Sequence, residues 1–195
     1  LPRQYYLRAG QIAGFLGACR EMNTCGWYMK VEDGFRSRIM QKHVGRQPAV
    51  FDAILRSVVW ELNGAKPTPA FFRRRSLTLV ALRPKVGTHM SGSAIDISVF
   101  RMADDTEVDR GGPYLEMSER TPMASPFVSA EAQANRREIT AIMRRHGFIE
   151  YPAEFWHYNG GDAYDWALPA ESGTLLTTAS IIDPTVAFTD GTIPI

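Results

Sequence analysis

Apolar positions recur at helical spacing over residues 11–22, where Ile12, Phe15, Leu16 and Cys19 share one face, and Gly26 marks the exit of that helix. Residues 28–32 read as a short strand that delivers Asp33-Gly34 as a turn. Pro48 opens a second helix running to about Asn63, with Val50, Phe51, Ile54, Leu55, Val58, Val59 and Leu62 on a broad apolar face, and Lys66-Pro67-Thr68-Pro69 ends it. Two β-rich stretches follow, at 77–82 and 94–100. The second alternates Ile95, Ile97 and Val99 against Ala94, Asp96 and Ser98, so Asp96 is expected on the face opposite the isoleucines. A last helix is predicted from Ser129 as N-cap through His146, with Ile139, Ile142 and Met143 buried, Arg144 and Arg145 at its negative end and Gly147 as its stop. Residues 148–158 are rich in aromatics and read as a strand returning to the sheet. Residues 170–195 show no period and are expected to form an extended C-terminal tail. These elements predict an α+β protein, a small central, mostly antiparallel sheet with flanking helices, in a single domain over residues 1–195.

Composition narrows the function classes. A chain of 195 residues, 45% of them apolar, can bury one good core. Its 22 basic and 21 acidic residues leave a net charge of +1, which argues against a nucleic-acid partner. The one basic run, Arg73-Arg74-Arg75, stands between Phe71-Phe72 and the strand-like 77–80, so it reads as a solvated loop or sheet edge rather than a phosphate site. No apolar stretch approaches the roughly 20 residues of a membrane span. For the two cysteines, Cys19 and Cys25, a local disulfide and a buried free thiol at Cys19 are both open. The sequence starts at Leu1 rather than Met, and a leader peptide would not be visible in it; the compartment stays open between cytoplasm and cell envelope.

Chemistry concentrates in two short segments, Thr88-His89-Met90-Ser91-Gly92-Ser93-Ala94-Ile95-Asp96 and Glu154-Phe155-Trp156-His157. His89, Asp96 and His157 would supply the three protein ligands of a catalytic metal that keeps a fourth position for water. Glu154 is the natural base for that water. Taken singly, the first segment could be a turn leading into a strand and the second an exposed ion pair. Gly92 lets the backbone turn back so that His89 and Asp96 meet, and bulk at this position is expected to spoil the site. On a regular strand Glu154 and His157 would face opposite sides, so a bulge or turn is required between them. His146 reads as a helix-end residue and His43, in the polar stretch 41–47, as structural or exposed.

The wording of these segments, with Asp33-Gly34-Phe35-Arg36, resembles the zinc D-alanyl-D-alanine peptidases, the family of VanX-type dipeptidases and VanY-type carboxypeptidases that shares its fold with the hedgehog signalling domain. The resemblance runs from about residue 30 to about residue 166. It implies one zinc ion (Zn2+) per chain at His89, Asp96 and His157, Glu154 as general base and acid, and a small substrate containing D-amino acids, D-Ala-D-Ala first. It places Arg36 over the metal, where it would stabilise an oxyanion or hold a carboxylate; a surface ion pair with Glu32 or Asp33 is the other reading. Ser93, Glu116 and Trp156 would stand about the substrate. Two positions depart from the family pattern. Gly87 replaces a serine, and Leu115 stands where the dipeptidases carry the acidic residue that binds the substrate ammonium. Glu116 would serve by a one-residue shift, or is an exposed carboxylate. The alternatives to a dipeptidase are therefore a D,D- or L,D-carboxypeptidase trimming peptidoglycan stem peptides, and a non-catalytic zinc-containing binding module.

Overall fold

A computed structural model describes residues 5–80 and 88–160. The expected tail at 170–195 lies outside them. Helix α1 (Ile12–Thr24) leads into β1 (Trp27–Asp33), followed by α2 (Arg38–Val44), α3 (Pro48–Glu61) and α4 (Pro69–Leu79). A 3-10 turn at Thr88–Ser91 then precedes β2 (Ala94–Arg101), and a long loop leads to α5 (Ala130–Arg145), β3 (Ile149–Tyr151) and β4 (Glu154–Asn159). The strands form one sheet in the order β1-β2-β4-β3, every neighbouring pair antiparallel. This is the α+β arrangement of antiparallel sheet and flanking helices that the residue pattern predicts. Among the described residues, no helix is long and apolar enough to cross a membrane.

The main core lies between the sheet and helices α1 and α5. Ile95, Ile97 and Val99 of β2 pack there with Ala18, Met22, Ile139, Ile142, Met143, Phe148 and Tyr158. Helix α5 forms as predicted: the Ser129 hydroxyl accepts from Ala132 N at 3.0 Å, and Gly147 takes a φ of 82° just past its end. Helix α1 turns a different face inward than its apolar stripe suggests. Ile12 and Leu16 are 41% and 43% exposed, whereas Ala18 and Met22 are buried. A Cβ at Gly14 would lie 2.3 Å from the His146 carbonyl oxygen, and one at Gly17 2.4 Å from His146 Nδ1. The small-residue face of α1 thus allows close approach to the end of α5; Phe15 of the bulkier stripe still packs against the core, while Ile12 and Leu16 are left outside. Cys19 and Cys25 are both free thiols.

Helices α3 and α4 pack chiefly on each other, around Ile54, Val58 and Val80. The strand expected at 77–82 is not there: residues 77–79 are the last turn of α4, and 81–87 lie outside the described residues. Thr68 caps this helix, its hydroxyl accepting from Phe71 N at 3.2 Å, and Pro69 occupies the first turn, so a strong helix start carries through the β-prone residues. The basic run accordingly sits on a helix, with Arg75 paired to Glu61. Among the described residues, contacts that join the α3–α4 hairpin to the rest include the Tyr151 hydroxyl, which donates to the Thr78 carbonyl at 2.6 Å, and Trp60, which meets Phe127 edge to face at 5.2 Å.

The loop between β2 and α5 is organised from within by one cation. Arg136, 2% exposed, donates to the carbonyls of Arg110 (2.7 Å), Arg120 (2.8 Å), Pro122 (2.7 Å) and Met123 (3.2 Å), and its guanidinium lies 4.2 Å from the centre of the Phe155 ring. A buried guanidinium is costly without partners, and these carbonyls supply them. Replacing Arg136 by Leu should therefore cost at least about 3 kcal/mol, since each hydrogen bond to a charged group is worth roughly 1.5–3 kcal/mol. Urea unfolding of Arg136→Leu and Arg136→Lys reads this directly. Lys should recover less than half of the loss, because a single ammonium cannot span the four carbonyls; a wild-type midpoint in Arg136→Leu would refute the role.

Candidate active site

Strand β2 is buried on both faces, and the face opposite the core carries Asp96. Asp96 pairs across the ladder with His157 of β4 on one side and with Asp33 of β1 on the other. A register shift between Val31 and Asp33 brings Asp33 opposite Asp96. His89 arrives from the 3-10 turn before β2, whose carbonyl accepts from Arg36 N and Gly92 N. Gly92 has a φ of 72°, and a Cβ there would meet only Arg8 N at 3.7 Å. The demand for glycine is thus conformational rather than the steric one expected from bulk, since an L-residue there costs roughly 1–2 kcal/mol.

His89, Asp96 and His157 each turn one ligand atom toward a common point, all within 4.8 Å of one another. His89 Nε2 lies 3.1 Å from His157 Nδ1 and 3.3 Å from Asp96 Oδ1, and His157 Nδ1 lies 3.0 Å from the same oxygen. The far side of each ring is held separately. His89 Nδ1 donates to the Gly34 carbonyl at 2.7 Å, and His157 Nε2 donates to Asn159 Oδ1 at 2.8 Å. Each imidazole thus has an outer acceptor for one ring N–H while its inner nitrogen faces Asp96, the outer arrangement that orients metal-ligating histidines. A metal ion fits this donor set of two nitrogens and a carboxylate oxygen.

Burial opposes the charge on Asp96, but His89 and His157 outweigh it and hold the carboxyl well below the usual range. The same carboxylate accepts from Arg36 Nη2 at 3.2 Å and from the Tyr114 hydroxyl at 3.0 Å. Glu154 Oε2 is 3.8 Å from His157 Nδ1. Burial pushes Glu154 up to about 8, with His157 and Arg36 acting against the rise. The irregularity that these two residues require is present: Glu150 pairs with Tyr158 but Tyr151 pairs with Glu154, so the intervening part of β4 is out of step with β3. Arg36 answers both readings of its role. Its Nε donates to Asp33 Oδ2 at 2.8 Å and its Nη1 to Gln41 Oε1 at 3.3 Å, yet it also lines the cleft; Glu32 pairs instead with Lys30.

The cleft over these groups has a volume of about 280 Å³. Trp156 lines it, edge to face with Tyr114 at 5.8 Å. Ser93 and Glu116, the other two expected substrate contacts, do not. Ser93 is fully buried, and its hydroxyl contacts Ser91 Oγ at 2.6 Å and the Thr88 carbonyl at 3.2 Å, which holds the turn around His89. Glu116 is turned toward Ser118 Oγ (2.6 Å) and Arg120 (2.9 Å). His146 pairs with Glu21 at the end of α5, and His43 is exposed. Tyr114, Asn159 and Gln41 belong to the site and escaped the motif reading. Asn159 had a signal, being two residues after His157 on the same strand face.

Residues 30–172 match the family described as D-ala-D-ala dipeptidase. Among curated relatives, a D-alanyl-D-alanine dipeptidase of Enterococcus faecium is 37% identical over 71 residues, covering 36% of this chain and 35% of that protein. One from Escherichia coli (strain K12) is 35% identical over 83 residues, 43% of this chain and 42% of that protein. The chain thus aligns with well under half the length of these relatives. Among solved structures, a vancomycin-resistance D,D-pentapeptidase VanY in complex with Zn(II) superposes with a TM-score of 0.49 at 18% identity, covering 82% of this chain and 75% of that one. VanYB in complex with D-alanine-D-alanine gives 0.47 at 17% identity, covering 82% and 80%. Because the family match runs from β1 past the end of β4, most of its length and every residue of the buried cluster included, this chain belongs to the D-Ala-D-Ala dipeptidase family.

Proposed function

We propose that the protein is a zinc metallopeptidase that hydrolyses the amide bond of a D-Ala-D-Ala unit. The observation that carries the reading is the convergence of His89 Nε2, His157 Nδ1 and Asp96 Oδ1 on one point, with Glu154 beside them. One zinc ion per chain, held by these three side chains, would supply Lewis acidity toward the scissile carbonyl and acidify water. Glu154 takes a proton from the attacking water and hands it to the departing amine as the C–N bond breaks. Its burial suits that task, because a carboxyl raised toward neutral pH both accepts and releases a proton readily. Arg36, fixed by Asp33 and Gln41, presents its charge where a developing oxyanion or a substrate carboxylate would lie. Trp156 and Tyr114 wall the cleft. The match to a family of D-Ala-D-Ala dipeptidases supports both the bond and the configuration. A binding module that keeps zinc for structure has no use for a buried carboxylate at the position of Glu154, which weighs against that alternative.

Zinc-loaded protein incubated with peptides ending in D-Ala-D-Ala should release free D-alanine, and the L,L counterparts should stay intact. Glu154→Gln should lower turnover by about two to four orders of magnitude with zinc content unchanged; zinc lost along with activity would make Glu154 a ligand instead. Asn159→Ala removes the acceptor that orients His157, so zinc affinity in competition with a chelator should fall roughly 10–100-fold. An unchanged affinity would separate Asn159 from the metal site.

A further inference from the structure

We propose that the groove between the α3–α4 hairpin and the loop at 117–127 binds the N-terminal side of an acylated substrate, so that this protein trims a longer peptide ending in D-Ala-D-Ala in preference to splitting the free dipeptide. The proposal rests on the hydrolysis proposed above and names the substrate class of the same site. Its first argument is electrostatic. A free dipeptide carries an α-ammonium into the cleft, and a desolvated ammonium needs an anionic partner. The described carboxylates lining the cleft are Asp33, Asp96 and Glu154. Asp33 is engaged by Gly34 N and Arg36, Asp96 by Arg36, Tyr114 and His157, and Glu154 faces His157. Glu116 is turned away to Ser118 and Arg120. The guanidinium of Arg36 further disfavours a second cation. An N-acyl substrate brings a neutral amide to the same place and escapes that penalty.

The second argument is the shape of the cleft edge. Where the loop reaches the cleft it offers Leu115 and Met117, both apolar. Leu115 is held at a φ of 65° and is 52% exposed, a conformation that an L-residue without a polar side chain rarely adopts. Beyond them a second cavity, about 410 Å³, shares Thr78, Leu79 and Met117 with the first as a common edge. It continues to the edge-to-face pair Trp60 and Phe127, which are 49% and 55% exposed. Ser118, Thr121 and Ser125 also line it, their hydroxyls held within the loop by Glu116 and the carbonyls of Glu116 and Glu119. A groove ending in two exposed aromatic rings suits the apolar side groups of a peptide chain. The groove opens from the end of the cleft where the rim turns apolar, and the acyl portion is its occupant.

The test compares free D-Ala-D-Ala with N-acetyl-D-Ala-D-Ala and with a pentapeptide ending in D-Ala-D-Ala. Zinc-loaded protein is assayed for kcat/KM, and the zinc-loaded Glu154→Gln protein for affinity by calorimetry. The acylated peptides should be favoured at least about tenfold in both, the discrimination expected when a charged group is left without its partner. Leu115→Asp places a carboxylate at the rim in a conformation Asp tolerates, and should raise kcat/KM for the free dipeptide by about tenfold or more. Leu115→Asn relieves the backbone equally without charge and should leave the preference where it was. Met117→Trp narrows the shared edge and should lower kcat/KM for the pentapeptide more than for N-acetyl-D-Ala-D-Ala. Free dipeptide handled as well as the acylated peptides, or equal effects of Asp and Asn at Leu115, would overturn the proposal while leaving the hydrolytic function standing. Tighter binding of the acylated peptides without any cleavage would support the groove and sink the hydrolysis, and neither binding nor cleavage would overturn both.

Discussion

A carboxylate removed almost completely from water, that of Asp96 at 1% exposure, constrains the rest of the site. Unpaired, it would cost more than a small protein's whole margin of stability. Two histidines, an arginine and a tyrosine hydroxyl surround it, and each comes from a different part of the chain: His89 from the turn before β2, His157 from β4, Arg36 from the turn after β1, Tyr114 from the long loop. Folding these elements together is therefore the same event as neutralising Asp96. The sheet makes this possible because β2 is an inner strand, with Ile95, Ile97 and Val99 on the core face and Asp96 on the other.

Regular strands would not have sufficed. The shift between Val31 and Asp33 re-aims β1 so that Asp33 can hold Arg36, and the shift between Glu150 and Tyr151 lets Glu154 and His157 enter one cleft. Behind them lie two further buried cations over the Phe155 ring, Arg110 and Arg136, the latter holding the carbonyls of the loop that bears Tyr114, Leu115 and Met117. One guanidinium thus organises the side of the cleft that meets the substrate's acyl end, and another balances the charge at its floor. The α3–α4 hairpin completes the enclosure on its own small core, tied down by Tyr151 and Trp60.

Much of this was legible in the sequence where local rules and tertiary packing agree. The alternation across residues 94–99 placed Asp96 opposite the core, and Ser129 and Gly147 bounded α5, because strand periodicity and helix caps are local signals. Helix α4 was misread as loop and strand since Leu77 to Val80 are β-prone, and the Thr68-Pro69 start that decides the matter acts from a distance of several residues. The inward face of α1 was legible only in part, at Phe15, because Gly14 and Gly17 carry no hydrophobic signal, though they allow the closest packing. Ser93 and Glu116 fall beside the right residues in sequence but point elsewhere, which a motif cannot reveal. Tyr114 lies in an irregular loop, where no period exists to mark it, and Arg136, although on the buried face of α5, serves carbonyls of that loop which no pattern predicts.

Crystallography of the zinc-loaded protein with data at the zinc absorption edge tests the central claim most directly. The hydrogen bonds from His89 Nδ1 to Gly34 and from His157 Nε2 to Asn159 turn the other nitrogen of each ring toward Asp96. A single anomalous peak bonded to His89 Nε2, His157 Nδ1 and an Asp96 carboxylate oxygen, with Glu154 outside bonding distance, is the result predicted. A peak that engages the opposite ring nitrogens, takes Glu154 as a ligand or lies away from these three residues would contradict the account.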